Sequence, residues 1–370
     1  MQHLQQHLSR WLILYAAAAM AVGVAVGWPV RAWGQADTGL ISVLTTVAVF
    51  LIIYPMMMNV RFNALGRAGR KLKALLLALG YNFVWAPLLG FVLAHLFLGN
   101  LMLALGFLLV MVVPCSSMSI AYTGLAEGDL ELATVVVAAS FILSIAAVPL
   151  WMALFAASYH LQVPLQDMLI SIVEVLIGPM IAGYLTRAGL VHRWGEAMVK
   201  RLQPALASAS MLAMFLIVFL IFFAKADMIV AKWQTVLLLF VPNLIFLAVT
   251  LGVATFLDRW IRLPYRDHMA VVFAATGKNN GTAIAIATMA LSPMVAIPAA
   301  TLPIFQVMLL VLYLRMAGWV RRLYRAPAGA GGSERIRGAA AVAGPRSEAP
   351  ARLPVSAAGD PTITGHGHVA

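Results

Sequence analysis

Charged residues are scarce in this sequence, and cysteine is almost absent. Asp, Glu, Lys and Arg make up 10% of the 370 residues, whereas a typical soluble protein has about 25%. Cys115 is the single cysteine, so no intramolecular disulfide can form. The sequence also lacks a Cys/His cluster at zinc spacing, a phosphate-binding loop, a nucleophile paired with a base and a redox-cofactor motif. We therefore expect no metal site, no cofactor, no catalytic residue and no enzymatic activity.

Apolar residues, by contrast, are abundant. They make up 63% of the chain, and the mean hydropathy is +0.94, which indicates a polytopic membrane protein. The formal net charge of +12 is then explained by loops at a membrane surface and not by a nucleic-acid interface. We expect membrane lipid as a partner and no nucleic acid.

Ten apolar runs are long enough to cross a membrane, for which about 20 residues are needed. They lie near residues 11–29, 39–58, 73–98, 101–122, 132–158, 168–186, 205–223, 234–257, 268–290 and 295–316. The sequence thus predicts an all-α polytopic membrane protein with ten transmembrane helices. Because ten is an even number, both termini should lie on the same side.

The positions of Lys and Arg predict the orientation of the chain. Sixteen of these residues fall in the loops of one side, and the other side has three, namely Arg31, Lys225 and Lys232. By the positive-inside rule, the basic side is cytoplasmic. We expect a multi-pass protein of the cell (inner) membrane with both termini in the cytoplasm.

The composition changes at residue 326, where Ala, Gly, Pro, Ser and Arg replace bulky apolar residues. Such a segment cannot bury a core. We expect residues 1–325 to form the ten-helix domain and residues 326–370 to form a disordered cytoplasmic tail. The arginines of this tail are either solvated or in contact with anionic lipid headgroups.

Two formal charges lie well inside predicted spans: Glu174 in span six and Lys278 in span nine. A charge inside the membrane is costly and commonly marks an ion or substrate pathway. We therefore assign Glu174 and Lys278 as candidate coupling residues. The alternative is a structural ion pair between them, or a lysine whose ammonium reaches the membrane interface.

Two stretches have the composition of interrupted helices. Residues 112–119 contain Pro114, which removes a backbone donor, followed by small polar or thiol side chains. Residues 275–282 contain Gly277, Gly281, a lysine and two asparagines in an otherwise apolar run. We assign Pro114, Gly277 and Gly281 as helix-break residues. The simpler alternative is one proline kink and two glycines that allow close helix packing.

These stretches fall in spans four and nine, which are equivalent positions if the chain consists of two five-helix repeats, at about 11–158 and 168–316. An odd number of spans per repeat gives inverted repeats, and paired broken helices indicate the binding site of a transporter. The candidate substrate-binding residues are the polar and thiol side chains of the two stretches: Cys115, Ser116, Ser117, Ser119, Asn279 and Asn280.

Several segments resemble the Acr3-type arsenite exporters of the bile acid/sodium symporter superfamily. They are residues 52–62 (IIYPMMMNVRF), 81–91 (YNFVWAPLLGF) and 114–118 (PCSSM), followed by Gly128 and Asp129. The resemblance implies a panel domain and a core domain in which broken helices four and nine cross. It also implies an essential cysteine after the proline of helix four, and Cys115 has that position. Thiolate is a soft ligand that suits As(III), although a lone buried cysteine is also a common small apolar residue.

The second half departs from the family patterns. The acidic residue expected beyond the asparagine of helix nine in the exporters is Ala283 here. The sodium-coupled branch has polar ion ligands at positions that read Ile120, Ala133, Val137, Ala275 and Asn279 in this chain. Sodium needs oxygen ligands, so four apolar side chains argue against the usual two-sodium arrangement.

Three functions remain open at this point. The first is proton-coupled efflux of arsenite, and of antimonite in the same way, with Cys115 contacting the substrate. The second is a sodium- or proton-coupled organic-anion symporter in which Lys278 is the counter-charge of the substrate. The third is a receptor or scaffold without transport. Lys278 could also carry the coupling proton, since buried lysines shift their proton affinity readily.

Overall fold

Every regular element that the structure describes is a helix. The structure is a computed structural model, and it describes residues 2–29, 38–59, 71–159, 169–170, 173–231 and 233–324. The predicted tail at 326–370 lies outside the described residues. Over the described residues the chain forms α-helices and three π-helical turns, in agreement with the predicted all-α class.

The described residues of the first half, 2–29, 38–59 and 71–159, form eight α-helices and one π-helical turn. These are α1 (Gln2–Arg10), α2 (Leu12–Gly27), α3 (Thr38–Asn59), α4 (Leu72–Gly80), the π-helical turn Tyr81–Trp85, α5 (Ala86–Phe97), α6 (Leu101–Val112), α7 (Met118–Leu125) and α8 (Leu130–Ser158). Helices α4 and α5 are joined through the π-helical turn into one apolar rod, Leu72–Phe97.

From residue 173 to residue 324, the described part of the second half forms a π-helical turn, Val173–Ile177, followed by eight α-helices. These are α9 (Gly178–Ala224), α10 (Ala226–Ala231), α11 (Trp233–Leu238), α12 (Phe240–Trp260), α13 (Tyr265–Thr276), α14 (Asn280–Ile286), α15 (Pro293–Arg315) and α16 (Ala317–Leu323), with a third π-helical turn at Ala287–Leu291.

Five of the described helices are long and apolar enough to cross a membrane. They are Leu72–Phe97, Leu130–Ser158, Gly178–Ala224, Phe240–Trp260 and Pro293–Arg315. Shorter apolar helices lie at Leu14–Gly27, Val43–Pro55, Leu101–Val112 and Asn280–Leu291. This is the architecture of a multi-pass membrane protein. The count of ten spans and the two inverted repeats stay predictions.

Helix α9 changes direction sharply at Gly195, which has φ +76° and ψ 172°. Only glycine adopts this conformation without strain. The residues before and after Gly195 therefore form two arms, which correspond to the predicted sixth and seventh spans.

Close backbone contacts join α2 to the second arm of α9. A Cβ atom added to Gly23 would lie 2.7 Å from Phe219 O, and one added to Gly27 would lie 2.4 Å from Phe223 O. The spacing of the two glycines is the G-x-x-x-G pattern of packed membrane helices. Their missing side chains let the two backbones approach.

The broken helices lie in the centre of the protein. Residues 103–112 of α6 are all buried, as are residues 267–276 of α13 and 280–286 of α14. Gly106 of α6 contacts α15 so closely that a Cβ atom there would lie 2.0 Å from Val295 O. Apolar packing on all sides thus holds both interruptions at fixed positions.

An ion cluster joins three helices at one membrane face. Lys71 precedes α4, and its ammonium contacts Asp129, at 2.5 Å, and Asp267. Asp129 is the N-cap of α8 and accepts from Leu132 N at 2.9 Å. Burial alone would raise the pKa of Asp129, but the hydrogen bond from Lys71 lowers it below its usual value. Burial alone would lower the pKa of Lys71, but its contacts with the two carboxylates raise this pKa above its usual value.

We expect this cluster to stabilise the protein over a defined pH window. The lowered pKa of Asp129 gives stability that is present above 3.8 and is lost as the pH falls through the folded value. The raised pKa of Lys71 gives stability that is present below 10.5 and is lost as the pH rises through the folded value. Asp129→Asn keeps a good N-cap residue and should lower the free energy of unfolding at neutral pH by about 1 kcal/mol.

Thermal unfolding of the purified protein as a function of pH measures this effect. Glu127→Gln is the matched control, because Glu127 pairs with Arg321 but has a 75% exposed side chain and should contribute little. The difference between wild type and Asp129→Asn should narrow below pH 3.8. A difference of the same size at every pH would show that the charge of Asp129 is not the cause.

Candidate functional site at the crossing of two interrupted helices

The first interruption separates α6 from α7. Val113 is extended, with φ −69° and ψ 157°, which is the conformation that a following proline imposes. Pro114 has no N–H to continue the helix, and the next helix begins at Met118. Ser116 Oγ accepts from Met118 N at 3.2 Å and thereby occupies one of the free donors at the start of α7.

The second interruption separates α13 from α14 by two consecutive tight turns. Lys278 N donates to Thr276 O at 3.0 Å, and Asn280 N donates to Lys278 O at 3.1 Å. These bonds between residues two apart define inverse γ-turns centred on Gly277 and Asn279. The Asn279 side chain then caps α14 by accepting from Thr282 N at 3.2 Å.

The two interruptions cross and pair with each other. Ser116 N donates to Gly277 O at 2.7 Å, Asn279 N donates to Pro114 O at 3.0 Å, and Cys115 and Lys278 form an antiparallel bridge pair. Inside a membrane, backbone groups must be satisfied within the protein. Each break therefore supplies partners for the other.

Gly277 is required by this close approach. A Cβ atom at Gly277 would lie 2.4 Å from Ser119 Oγ and 2.6 Å from Phe273 O. Gly281, which the sequence suggests as a helix-break residue, lies instead in the first turn of α14, where a Cβ atom would be 2.5 Å from Ile52 Cγ2. Gly281 thus allows helix packing and does not form the interruption itself.

We expect Gly277→Ala to destabilise the crossing by about 1–3 kcal/mol, because the added methyl group overlaps Ser119 and the backbone of Phe273. Gly252→Ala in α12 is the matched control, since a Cβ atom there meets nothing within 4 Å. Thermal unfolding of both purified variants measures the effect. Equal stability of the two would show that the crossing relaxes around the extra methyl group.

Lys278 is buried, with 1% of its surface exposed, and it connects three elements. Its ammonium donates to Met111 O at 2.8 Å, to Asn82 Oδ1 at 3.1 Å and to Asn82 O at 3.2 Å. Met111 is in the last turn of α6, where carbonyl groups lack helical partners and carry the negative end of the helix dipole. Three oxygens thus hold the side-chain nitrogen of Lys278 beside the crossing.

The π-helical turn at Tyr81–Trp85 explains why Asn82 can take part in this site. The wider turn alters the helical hydrogen-bond ladder, and Asn82 O accepts from Lys278. The amide group of Asn82 also donates to Ala78 O at 3.0 Å and to Ala274 O at 3.2 Å. The sequence shows Asn82 only as a polar residue in an apolar run, so its role was missed. Its neighbours in sequence carry no signal of the contact with Lys278.

Cys115 is fully buried, and its Sγ atom lies 3.1 Å from Ser140 Oγ on α8. The hydroxyl proton of Ser140 is donated to Val137 O at 2.8 Å. Ser140 Oγ therefore accepts from the thiol, and Cys115 carries its proton in this arrangement.

The three candidate serines differ in environment. Ser119 is buried and its hydroxyl donates to Gly277 O at 3.4 Å. Ser116 and Ser117 are partly buried, and Ser117 makes no side-chain cap bond to α7. All three therefore lie beside the crossing, with Ser119 facing the second interruption.

Asn280 continues the polar site towards α15. Its amide group donates to Gln306 Oε1 at 3.2 Å, and Gln306 Nε2 donates to Lys278 O at 3.2 Å. Within the described part of the chain, Asn280 Oδ1 and Thr282 Oγ1 are buried without a hydrogen-bond partner. Unpartnered buried oxygens need an explanation, and hydrogen bonds from a bound molecule with hydroxyl groups would provide one.

Glu174 is not brought to Lys278. It lies on the π-helical turn Val173–Ile177 with an exposed side chain, and no ion pair between the two occurs in the described ranges. The proposed structural pair between them is therefore replaced by the contacts of Lys278 with Asn82 and Met111. Among the same residues, no group of three His, Cys, Asp or Glu side chains could hold a metal ion.

A sequence profile of the sodium bile acid symporter family matches residues 46–232, half of the chain. The arsenical-resistance protein Acr3 of Alkaliphilus metalliredigens is 26% identical over 253 residues, covering 63% of this chain and 70% of that protein. The Acr3 protein of Corynebacterium glutamicum is 24% identical over 296 residues, covering 76% and 80%. An uncharacterized transporter of Synechocystis is 27% identical over 310 residues, covering 75% and 79%.

Proposed function

The chain belongs to the sodium bile acid symporter family and is a secondary transporter, and we propose that it exports arsenite, and antimonite in the same way, in exchange for protons. The observation that carries the proposal is Cys115, the single thiol of the chain, at the crossing of the two interrupted helices. The similarity of the chain to two arsenical-resistance proteins supports this choice of substrate.

The thiol gives arsenite a reversible covalent contact. Arsenous acid, As(OH)₃, would form an S–As bond with Cys115 as one As–OH bond breaks. The thiol proton leaves with that hydroxyl as water, so no charge develops in the step. A single thiolate binds As(III) less tightly than three would, and a transporter must release its substrate.

The polar groups of the second interruption suit the remaining hydroxyls of arsenous acid. Asn280 Oδ1 and Thr282 Oγ1 are unpartnered in the described structure, and both can accept hydrogen bonds. Ser116, Ser117 and Ser119 supply further hydroxyls from the first interruption, and Asn279 lies next to Asn280 at the start of α14. A neutral substrate fits this set better than an anion does.

Lys278 takes the role that a bound coupling cation has in the sodium-coupled branch. Its ammonium is held by three oxygens, as a bound metal ion would be, and four of the five sodium-ligand positions are apolar in this chain. We assign coupling to a proton on this side chain. Glu174, exposed and apart from Lys278, would serve a different step, the entry of protons from the surface.

The proposed cycle follows from the predicted inverted repeats. The two five-helix repeats would place the crossing near the middle of the membrane, and rocking of one bundle against the other would open it to each side in turn. Opening must expose Cys115, which is fully buried in this conformation.

Arsenite accumulation in everted membrane vesicles tests the proposal. Export from a cell becomes uptake into such vesicles, so respiring vesicles with the protein should accumulate arsenite above those with an empty vector. An uncoupler should abolish the difference. Equal accumulation with and without the protein under a verified proton gradient would remove arsenite as substrate, and the organic-anion symporter would then be tested with carboxylates and sulfonates.

A further inference from the structure

A second buried polar cluster lies away from the crossing, where α12, α13 and α15 meet. His268 Nδ1 lies 2.6 Å from Asp258 Oδ2, and His268 Nε2 lies 2.8 Å from Tyr313 OH. Tyr81 OH donates to Asp258 Oδ1 at 2.9 Å, and Tyr313 OH lies 2.6 Å from Thr255 Oγ1. Asp258 and His268 are fully buried. A carboxylate and a histidine without exposure are costly and call for a role.

The hydrogen-bond donors of this cluster can be assigned in order. The single hydroxyl proton of Thr255 is donated to Leu251 O at 2.6 Å, so Thr255 Oγ1 accepts from Tyr313. The oxygen of Tyr313 must then accept from His268 Nε2, which therefore carries a proton.

The number of protons on His268 and Asp258 follows from these donors. Because Nε2 already carries one, the 2.6 Å contact between Nδ1 and the Asp258 carboxyl needs a second proton between them. Either an imidazolium faces a carboxylate, or an imidazole faces a carboxylic acid. Both descriptions contain the same number of protons, so the pair holds one exchangeable proton in this structure.

Loss of that proton would reverse the chain of hydrogen bonds. His268 Nδ1–H would still donate to Asp258, but Nε2 would become an acceptor and Tyr313 would have to donate to it. Thr255 would then donate to Tyr313 and release Leu251 O. The two protonation states thus differ in the direction of the hydrogen bonds that join α12, α13 and α15.

The Tyr324 ring covers the cluster on one side. The Tyr324 ring stacks on His268 with centroids 4.6 Å apart, is partly exposed, and donates to Thr255 O at 2.9 Å. The titratable and charged groups around the pair are Tyr81 and Lys71 at the α4 side, Arg259 on α12, Tyr265 and Asp267 on α13, Tyr313 on α15, and Arg321 and Tyr324 at α16.

We propose that Asp258 and His268 form a proton-binding site that exchanges with the membrane face at which Tyr324 lies. Helix α13 carries His268 near its start and ends at the interruption beside Gly277. A change in the bonds of His268 therefore acts on the first half of the interrupted helix. The link between this proton-binding site and transport rests on the proposed function, whereas the site itself does not.

Solid-state NMR of the full chain in liposomes, labelled with [15N]histidine and free of substrate, tests the site directly. Nitrogen shifts distinguish imidazolium from the two neutral tautomers, and His268→Gln identifies the His268 signals. We expect wild type to show a protonated Nε2 and an Nδ1 that shares a proton with Asp258. Asp258→Asn removes the carboxylate, so Nδ1 should show the shift of an unprotonated nitrogen, and Tyr313→Phe should alter the shift of Nε2.

His95 is the matched control, because it also contacts a tyrosine hydroxyl, Tyr159 at 3.1 Å, but is exposed, and no carboxylate among the described residues bonds to it. Its signals should not respond to Asp258→Asn. If Nδ1 of wild-type His268 shares no proton, or if the His268 nitrogen shifts are the same in Asp258→Asn, the proposal is overturned.

Proton flux in arsenite-transporting liposomes then tests the link to transport. Asp258→Asn should slow arsenite transport and its proton flux together, by several-fold, since Lys278 remains to carry the coupling proton, and His95→Gln should not. Unchanged rates of both would overturn the link to transport. Absence of arsenite transport in wild type, with the shared proton of His268 observed by NMR, would contradict the proposed substrate and leave the proton site standing.

Discussion

Replacing Cys115 with serine is expected to reduce arsenite accumulation in everted vesicles to that of vesicles without the protein. Cys115 is the single thiol of the chain, so no other side chain can form an S–As bond. Serine keeps a similar size and a donor for Ser140, which lies 3.1 Å from the sulfur. The substitution therefore changes the chemistry at this position with little change in packing.

The neighbouring serines of α8 provide a matched pair of controls. Ser140→Ala removes the acceptor of the thiol, whereas Ser144→Ala removes an equally buried hydroxyl that bonds only to Phe141 O. We expect Ser144→Ala to transport like wild type and Ser140→Ala to be intermediate. Full activity of Cys115→Ser, with protein amounts matched, would show that arsenite is not bound through the thiol.

The second large effect is expected at Lys278. Lys278→Met leaves Asn82 O, Asn82 Oδ1 and Met111 O without the donor that they have now, and each unpaired buried acceptor costs about 1–3 kcal/mol. We expect a marked loss of thermal stability and no transport. This variant alone cannot separate a structural role from coupling.

Lys278→Gln separates the two roles, because its amide group can donate to two of these oxygens but carries no charge. Lys278→Gln should recover part of the stability that Lys278→Met loses, and any arsenite transport that it regains should be independent of the proton gradient. Lys73→Gln is the matched control, since Lys73 is exposed and donates to a single carbonyl, Ile261 O at 2.7 Å. Proton-driven transport by Lys278→Gln at the wild-type level would exclude Lys278 as the coupling residue.

The helices could be predicted closely because the membrane restricts the choices. An apolar run must be long enough to span, and its backbone must be satisfied by helical bonds. The run at 73–98 accordingly corresponds to Leu72–Phe97, and the run at 132–158 to Leu130–Ser158. Pro114 and Gly277 stand where α6 and α13 stop, since one lacks a donor and the other permits a close turn. The sharp bend of α9 falls between predicted spans six and seven, but its position at Gly195 was not predicted.

The partners of the polar side chains could not be predicted in this way. Lys278 bonds to Asn82, which is 196 residues away in the chain, and not to Glu174, the one other charge well inside a predicted span. His268 and Asp258 lie at the ends of predicted spans, where polar residues are expected to meet water, yet both are fully buried. Spacing along one helix contains no information about contacts between helices that cross.

The sequence by itself determined that this chain is a helical membrane protein and where its polar interruptions lie, because hydropathy and backbone satisfaction act locally. The tertiary structure alone decided that the interruptions pair through Cys115 and Lys278, that three oxygens hold the Lys278 ammonium, and that Asp258 and His268 share a proton. These features depend on which helices meet, and that is decided by packing across the whole molecule.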